Sequence, residues 1–352
     1  MHMADALVAP AVAGTMYVAS AVTAGYSVKQ VGFSENSQKV PLMGVMGAFV
    51  FAAQMINFTI PGTGASGHLT GGMLLSALLG PCAGFITMVG VLLIQCLLFA
   101  DGGLMALGCN IWNMAFYGCF FGAGVIWRFL MRGGVSKKRI TAASILGAVL
   151  TLQLGAFSVV LETSLSGVTK LPFLVFAGAM QPIHLAIGLV EGVVTAMVLC
   201  FVYEARPELL WTGKNIAQAG NEFAGEKLAD GKSGTGKKQG RLSYKKTLGV
   251  LGIFAVVIAG VLSLLASAFP DGLEWSVARV TGASELSAEG GIYRLAANIQ
   301  KMTALLPDYA FQNSDSAAGT SFSGIVGGVV VLTVLLGICR LCKMLGAKSG
   351  KP

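Results

Sequence analysis

The chain has 352 residues, of which 55% are hydrophobic and only 11% charged, with 48 glycines and a formal net charge of +8; soluble domains carry about 25% charged residues. A soluble globular class is therefore excluded. Collagen-like, coiled-coil and disordered classes fail too, because the glycines have no triplet period and the apolar residues come in long blocks instead of heptads.

The chain opens Met1-His2-Met3-Ala4-Asp5, without the Lys or Arg that begins a secretory signal, so the N-terminus is expected to be kept. Predominantly apolar blocks follow near 7 to 28, 42 to 60, 81 to 100, 107 to 131, 140 to 162, 176 to 203, 247 to 269 and 322 to 342, about 20 residues where they cross a bilayer fully. A shorter, Gly-rich block near 66 to 79 ends at Gly80-Pro81 and reads as a short or broken helix, which is tolerated only where neighbours cover its backbone. The expected class is an all-α polytopic membrane protein: a seven-helix bundle plus two additional transmembrane helices.

Charge placement sets the orientation. With the N-terminus outside, the inward side carries Lys29, Lys39, Arg128, Arg132, Lys137, Lys138, Arg139, nine Lys or Arg from Arg206 to Lys246, and Arg340, Lys343, Lys348 and Lys351. Only Lys170, Arg279, Arg294 and Lys301 stay outside, so the positive-inside rule predicts a multi-pass cell (inner) membrane protein with a cytoplasmic C-terminus. The excess positive charge belongs to the cytoplasmic face, and no nucleic-acid partner is implied.

Three parts are expected: 1–210, a basic cytoplasmic linker at 211–246, and 247–352, whose two helices flank an acidic outer loop holding Asp271, Glu274, Glu285, Glu289, Asp308 and Asp315. That loop could attract cations, or simply be solvated. Within the linker, Gly231 to Lys238 imitates a phosphate loop but has Lys238 where Ser or Thr should hold magnesium. No ATPase, and no other enzyme, is expected of this chain. The seven cysteines lie mostly inside apolar blocks, and Cys339-x-x-Cys342 lacks a redox-fold context; they read as small apolar residues.

Of the three histidines, His2 and His68 fall on the outer face of this topology, and His68 follows the turn Pro61-Gly62-Thr63-Gly64-Ala65-Ser66-Gly67. A His at position two has a particular chemistry: the Met1 amine, the His2 backbone nitrogen and one His2 imidazole nitrogen chelate a single ion through adjoining rings. His68 would add a fourth nitrogen. A planar all-nitrogen set suits Ni(II) or Cu(II), whereas Zn(II) prefers a tetrahedron and Mg(II) or Ca(II) oxygens. A lone loop histidine is more often a hydrogen-bonding residue than a ligand, and spacing leaves both readings open.

The segments Met1-His2-Met3-Ala4-Asp5-Ala6-Leu7, Ser66-Gly67-His68-Leu69-Thr70-Gly71 and His184 to Gly192 resemble the CbiM/NikM family, substrate-binding S components of energy-coupling-factor (ECF) transporters for nickel and cobalt. Pro270-Asp271-Gly272-Leu273-Glu274-Trp275-Ser276 resembles the PDGLE motif of the small NikN/CbiN-type accessory subunit. The resemblance implies that Met1, His2 and His68 bind Ni(II), or Co(II) for cobalamin biosynthesis, as substrate for import. It also implies an ECF transmembrane coupling subunit and two cytoplasmic ATPase subunits as partners. Many cobalt members carry Glu where this chain has Asp5; Asp5 and Ser66 are candidates to support a ligand without touching the ion. His184 and Glu191 lie seven residues apart on one helical face and form either an intramembrane relay or a buried structural bond, and Asn110 and Asn113 invite the same two readings. An intramembrane metalloenzyme built on His184 and Glu191 is the rival of another class, disfavoured because no His-Glu-x-x-His pair occurs.

Overall fold

The computed structural model describes residues 1–31, 39–213, 242–283, 286–311 and 317–349. Most of the expected linker, with its phosphate-loop imitation, lies outside the described residues, as do Glu285, Asp315 and the side chain of Cys342.

Helix α1 spans Pro10–Val31, with proline at its first position, where a missing N–H costs nothing. Helix α2 spans Lys39–Gln54. The block near 42 to 60 is therefore not one helix: the chain leaves it at Gln54, whose Nε2 donates to Thr70 O at 2.8 Å and whose Oε1 accepts from Gln95 at 3.0 Å. Beyond it lies an antiparallel hairpin, β1 Phe58–Ile60 and β2 Ala65–Gly67, pairing Phe58 with Gly67 and Ile60 with Ala65. Its reversal uses Gly62 and Gly64 at φ of 76° and 74°, the left-handed region that glycine enters without penalty.

Helix α3, Gly72–Leu79, has eight residues, all buried, and at 1.5 Å per residue reaches only about 12 Å. The Gly-rich block is thus a broken element, enclosed by protein. Its partner is α5, the helical run Leu107–Met131. Small residues let the two backbones meet: a Cβ added at Gly118 would stand 2.8 Å from Gly72 Cα.

Helices α4 (Pro81–Phe99), α6 (Lys137–Ser166), α7 (Phe173–Ala205), α8 (Tyr244–Gly260), α9 (Gly272–Thr281), α10 (Gly291–Thr303) and α11 (Ala317–Ser349) complete the described fold. Among the described residues five helices are long and apolar enough to cross a membrane: α4, α5, α6, α7 and α11. Helix α6 is capped by Ser136, whose side chain accepts from Arg139 N. Leu150, Phe157, Leu161 and Leu165 on α6 and Leu189, Val193 and Met197 on α7 are exposed, apolar surface that lipid covers at low cost.

The thirty residues of α6 span about 45 Å and separate the two ends of the molecule. At its start lie Lys137 and Arg139, with Lys137 paired to Glu204. Past its other end, the Thr169 hydroxyl donates to Ala6 O at 2.9 Å. The basic cluster and the N-terminal segment therefore lie at opposite ends of the bundle.

Gly118→Val should force α3 and α5 apart and destabilise the purified protein by about 1–3 kcal/mol, read as a lower melting midpoint in detergent. Gly178→Ala, with open space around its added Cβ, should leave the midpoint unchanged or slightly raised.

Candidate metal centre

The first eight residues form a buried plug. Asp5–Leu7 makes one short helical turn, and Met1, Met3, Ala6, Leu7 and Val8 are all buried. The connection between α4 and α5 grips this segment as a strand partner would: Met3 N donates to Asn110 Oδ1 at 2.7 Å, and Met3 O accepts from Gly103 N at 2.8 Å and Asn110 Nδ2 at 3.2 Å. Asp5 Oδ1 accepts from Ala106 N at 3.0 Å. Asp5 therefore anchors the plug to the helix connection and contacts no histidine.

His68 sits just past β2 and ahead of α3, so it lies outside the membrane-spanning helices. Two devices fix it. Glu191 of α7 accepts from Thr70 N at 2.7 Å, Gly71 N at 3.0 Å and the Thr70 hydroxyl at 2.8 Å, clamping the residues that follow. The His68 Nδ1–H donates to Leu69 O at 3.0 Å, because a carbonyl only accepts. Nε2 is then the unprotonated nitrogen, with its lone pair free for a cation.

That lone pair meets the chain's amine. Met1 N stands 3.0 Å from His68 Nε2, and the His2 ring stacks on His68 with centroids 5.2 Å apart. Two nitrogens bonded to one ion at about 2.0 Å on adjacent corners of a square lie about 2.8 Å apart, so the Met1–His68 spacing is close to that of neighbouring donors. The structure thus brings Met1, His2 and His68 together. Among the described residues no three His, Cys, Asp or Glu side chains are grouped as a metal site; an ion here would draw on main-chain nitrogens. His2 Nδ1 faces Asp101 Oδ1 at 3.1 Å, while its Nε2 is buried without a partner.

The other expected polar residues divide. Ser66 holds the segment that precedes α9: its N–H donates to Pro270 O at 2.8 Å and its hydroxyl to Phe269 O at 2.7 Å. His184 Nδ1–H donates to Met180 O at 2.7 Å, and its buried Nε2 has no partner. His184 and Glu191 therefore do not bond each other; Glu191 serves the His68 segment, and His184 lines a small pocket with Met1, His68 and Asp271. Asn113 Nδ2 donates to Glu162 Oε2 at 2.7 Å and approaches Met3 Sδ at 3.6 Å.

Sequence reasoning missed Asp271 as part of this centre. It was one of six acids in an outer loop, yet its Oδ2 accepts from the Met1 amine at 2.6 Å and lies 3.8 Å from His68 Nε2. Its Oδ1 caps α9 through Leu273 N and Glu274 N, both at 2.8 Å, and the Asp-x-x-Glu spacing is the one signal that marked it as a helix start. Asp101 and Glu162 also escaped notice as site residues; an acid inside the apolar block near 140 to 162 was the available sign for Glu162.

Burial raises the Asp271 carboxyl, but the Met1 ammonium, His68 and its hydrogen bonds outweigh that and hold it well below the usual carboxylate range. Burial lowers both imidazoles beneath their ordinary 6.5, with the Met1 ammonium acting in the same direction on each and, for His68, His2 as well. Both rings are therefore neutral, as metal ligands must be.

Residues 2–209 match the family described as CbiM, cobalt uptake substrate-specific transmembrane region, and residues 245–344 match the PDGLE domain. The chain belongs to the CbiM family. A fused nickel transport protein, NikMN, of Archaeoglobus fulgidus is 33% identical over 344 residues, covering 97% of this chain and 99% of that one. The fused nickel transport protein NikMN of Rhodobacter capsulatus is 31% identical over 225 residues, covering 60% of this chain and 64% of that one. Among solved structures, a transition metal transporter superposes on 64% of this CbiM-family chain and 99% of its own with a TM-score of 0.53 and 28% identity. A truncated transition metal transporter covers 58% of this chain and 99% of its own, at a TM-score of 0.51 and 30% identity.

Because His2 and His68 are neutral when folded but protonate near 6.5 when unfolded, the unfolded chain binds more protons below that pH and stability falls with acid. Each ring contributes a slope of up to about 1.4 kcal/mol per pH unit, and Asp271, depressed below 3.8, adds a further loss only in stronger acid. The melting midpoint of metal-free protein in detergent should drop between about pH 7 and pH 5. A flat profile across that window would mean the rings are charged in the folded state.

Proposed function

We propose that this chain is the substrate-specific component of an ECF-type importer, capturing Ni(II) at the outer face of the cell membrane and delivering it inward with energy from partner ATPases. Co(II), for cobalamin biosynthesis, is the alternative cargo. In this reading residues 1–210 form a seven-helix S component, 211–246 a basic cytoplasmic linker, and 247–352 a two-helix PDGLE module. Family membership supports metal transport, and relatives named for nickel and for cobalt leave either ion open.

The observation that carries the reading is the Met1 amine lying 3.0 Å from the lone pair of His68. In the proposed site the ion is held by that amine, by the His2 amide and imidazole nitrogens, and by His68 Nε2. The first three donors form consecutive chelate rings, and His68 takes the remaining corner, next to the amine. His2 must turn about its Cβ–Cγ bond to bring Nδ1 from Asp101 to the ion. The plug is then ligand and lid together, and its burial under the 102–110 connection excludes water from the captured ion. A coupling subunit in the membrane and two cytoplasmic ATPase subunits would reorient the loaded component.

Inserting one glycine between Met1 and His2 keeps every side chain but enlarges the chelate ring. Nickel content of the purified variant should fall at least tenfold, and His68→Ala should do the same. His184→Ala, whose ring is anchored to its own helix, should lose less. Nickel content equal to the parent in the insertion variant would remove the proposed chelate.

Ion binding must displace one proton from the amine and one from the amide. Affinity should therefore fall with acid by up to about a hundredfold per pH unit, measured by competition against a chromophoric chelator; a pH-independent constant would mean side-chain donors alone.

A further inference from the structure

Met1, His2 and His68 belong to the first module, but two carboxylates also face them, and the second module governs both. Asp271 Oδ2 touches the Met1 amine at 2.6 Å and lies 3.8 Å from His68 Nε2. Asp101, which holds His2, receives a hydrogen bond of 2.5 Å at its other oxygen from the hydroxyl of Tyr309. Tyr309 reaches it from a turn in which Asp308 and Tyr309 both have positive φ, 52° and 58°, a strained backbone state for non-glycine residues that clusters at functional sites.

The Asp271 segment is locked in place independently of the amine. Ser66 bonds Phe269 O and Pro270 O, and Trp275 Nε1 donates to Thr63 O at 3.0 Å. Asp271 and Glu274 form a reciprocal capping box at the start of α9, and Gly272 lies under His184, where a Cβ would come within 3.2 Å of the ring. The carboxylate is therefore preorganised toward the amine corner of the centre, with one oxygen committed to the helix and the other to the site.

Charge decides what that second oxygen does once an ion replaces the ammonium proton. A divalent ion held by two neutral imidazoles, an amine and one deprotonated amide retains a single positive charge. A buried net charge is costly unless it is paired. With Asp271 as a donor the coordination sphere sums to zero, while Asp101 stays outside it on the Tyr309 hydroxyl.

Resting on the nickel-capture reading above, we propose that Asp271 of the PDGLE module is a fifth donor, an oxygen, to the captured ion. The metal site is then shared between the two modules. An oxygen added to a nitrogen plane makes the site tetragonal, a geometry that Ni(II) accepts. The amine exchanges a proton for the ion, Asp271 and His68 Nε2 each exchange the ammonium for the ion, and the second proton leaves from the His2 amide.

The test uses the full chain in detergent with Ni(II) as the probe. Asp271→Asn keeps a good helix cap and nearly the same shape, and removes only the charge and the strong donor. The expected result is a tenfold to hundredfold loss of Ni(II) affinity, the range found when groups that tune a metal are removed. A shift of the visible Ni(II) band to the higher energy of a four-nitrogen plane should accompany it. Asp271→Ser, which also caps, should behave alike if the Asn variant fails to fold. Unchanged affinity and spectrum would overturn the proposal, leaving Asp271 as counter-ion to the free amine and the N-terminal chelate intact. Weaker binding with an unchanged spectrum would also overturn it, because Asp271 would then only position Met1. If the parent binds no Ni(II) while the folded Met1–His2 insertion variant behaves identically to it, the nickel-capture reading itself fails, and this inference with it.

Discussion

The Met1 amine lies between a neutral imidazole nitrogen at 3.0 Å and a carboxylate oxygen at 2.6 Å, and is almost fully removed from water. A cation in that position is stable only while both partners stay in place, since an unpaired buried charge costs several kcal/mol. Most of the architecture around it answers that demand. The 102–110 connection grips Met3 and Asp5, so the amine cannot withdraw. Glu191 fixes the residues after His68, and the Leu69 carbonyl selects the tautomer that leaves Nε2 bare.

Close backbone approach makes this possible. The eight-residue α3 runs against α5 where Gly72 meets Gly118, and α6 takes Gly188 and Gly192 of α7 against its own backbone at Val149 and Ile145. Without hydrophobic drive between helices in lipid, such small-residue seams and buried hydrogen bonds supply the packing. The broken helix is covered on every side, and its preceding loop carries His68 to the mouth of the bundle. Irregular backbone at this depth persists because Gln54 and Glu191 satisfy it.

The second module is not an appendage to this centre. Its α11 packs along α2 with Leu332 and Leu335 seated over Gly44 and Gly47. Its outer segment lies on the hairpin through Ser66 and delivers Asp271 to the amine. Tyr309 reaches the same site through Asp101. The CbiM region and the PDGLE region of this chain thus meet at one polar centre.

The sequence by itself determined the class of the protein, because hydrophobic run length and the placement of Lys and Arg act locally and need no tertiary knowledge. It also marked Met1, His2 and His68, since a terminal amine beside a second-position histidine is a chelating pattern whatever the fold. Periodicity could not separate α2 from the hairpin that follows it: Phe58 to Ile60 is as apolar as a helix end, and only Gln54 turning to Thr70 stops the helix there. The pairing of Glu191 with Thr70 and of Asn110 with Met3 joins residues more than a hundred positions apart, and that of Met1 with Asp271 spans 270. Such contacts leave no spacing for a sequence to display. They were decided by how the helices pack, which alone sets which acid among many stands beside the first amine.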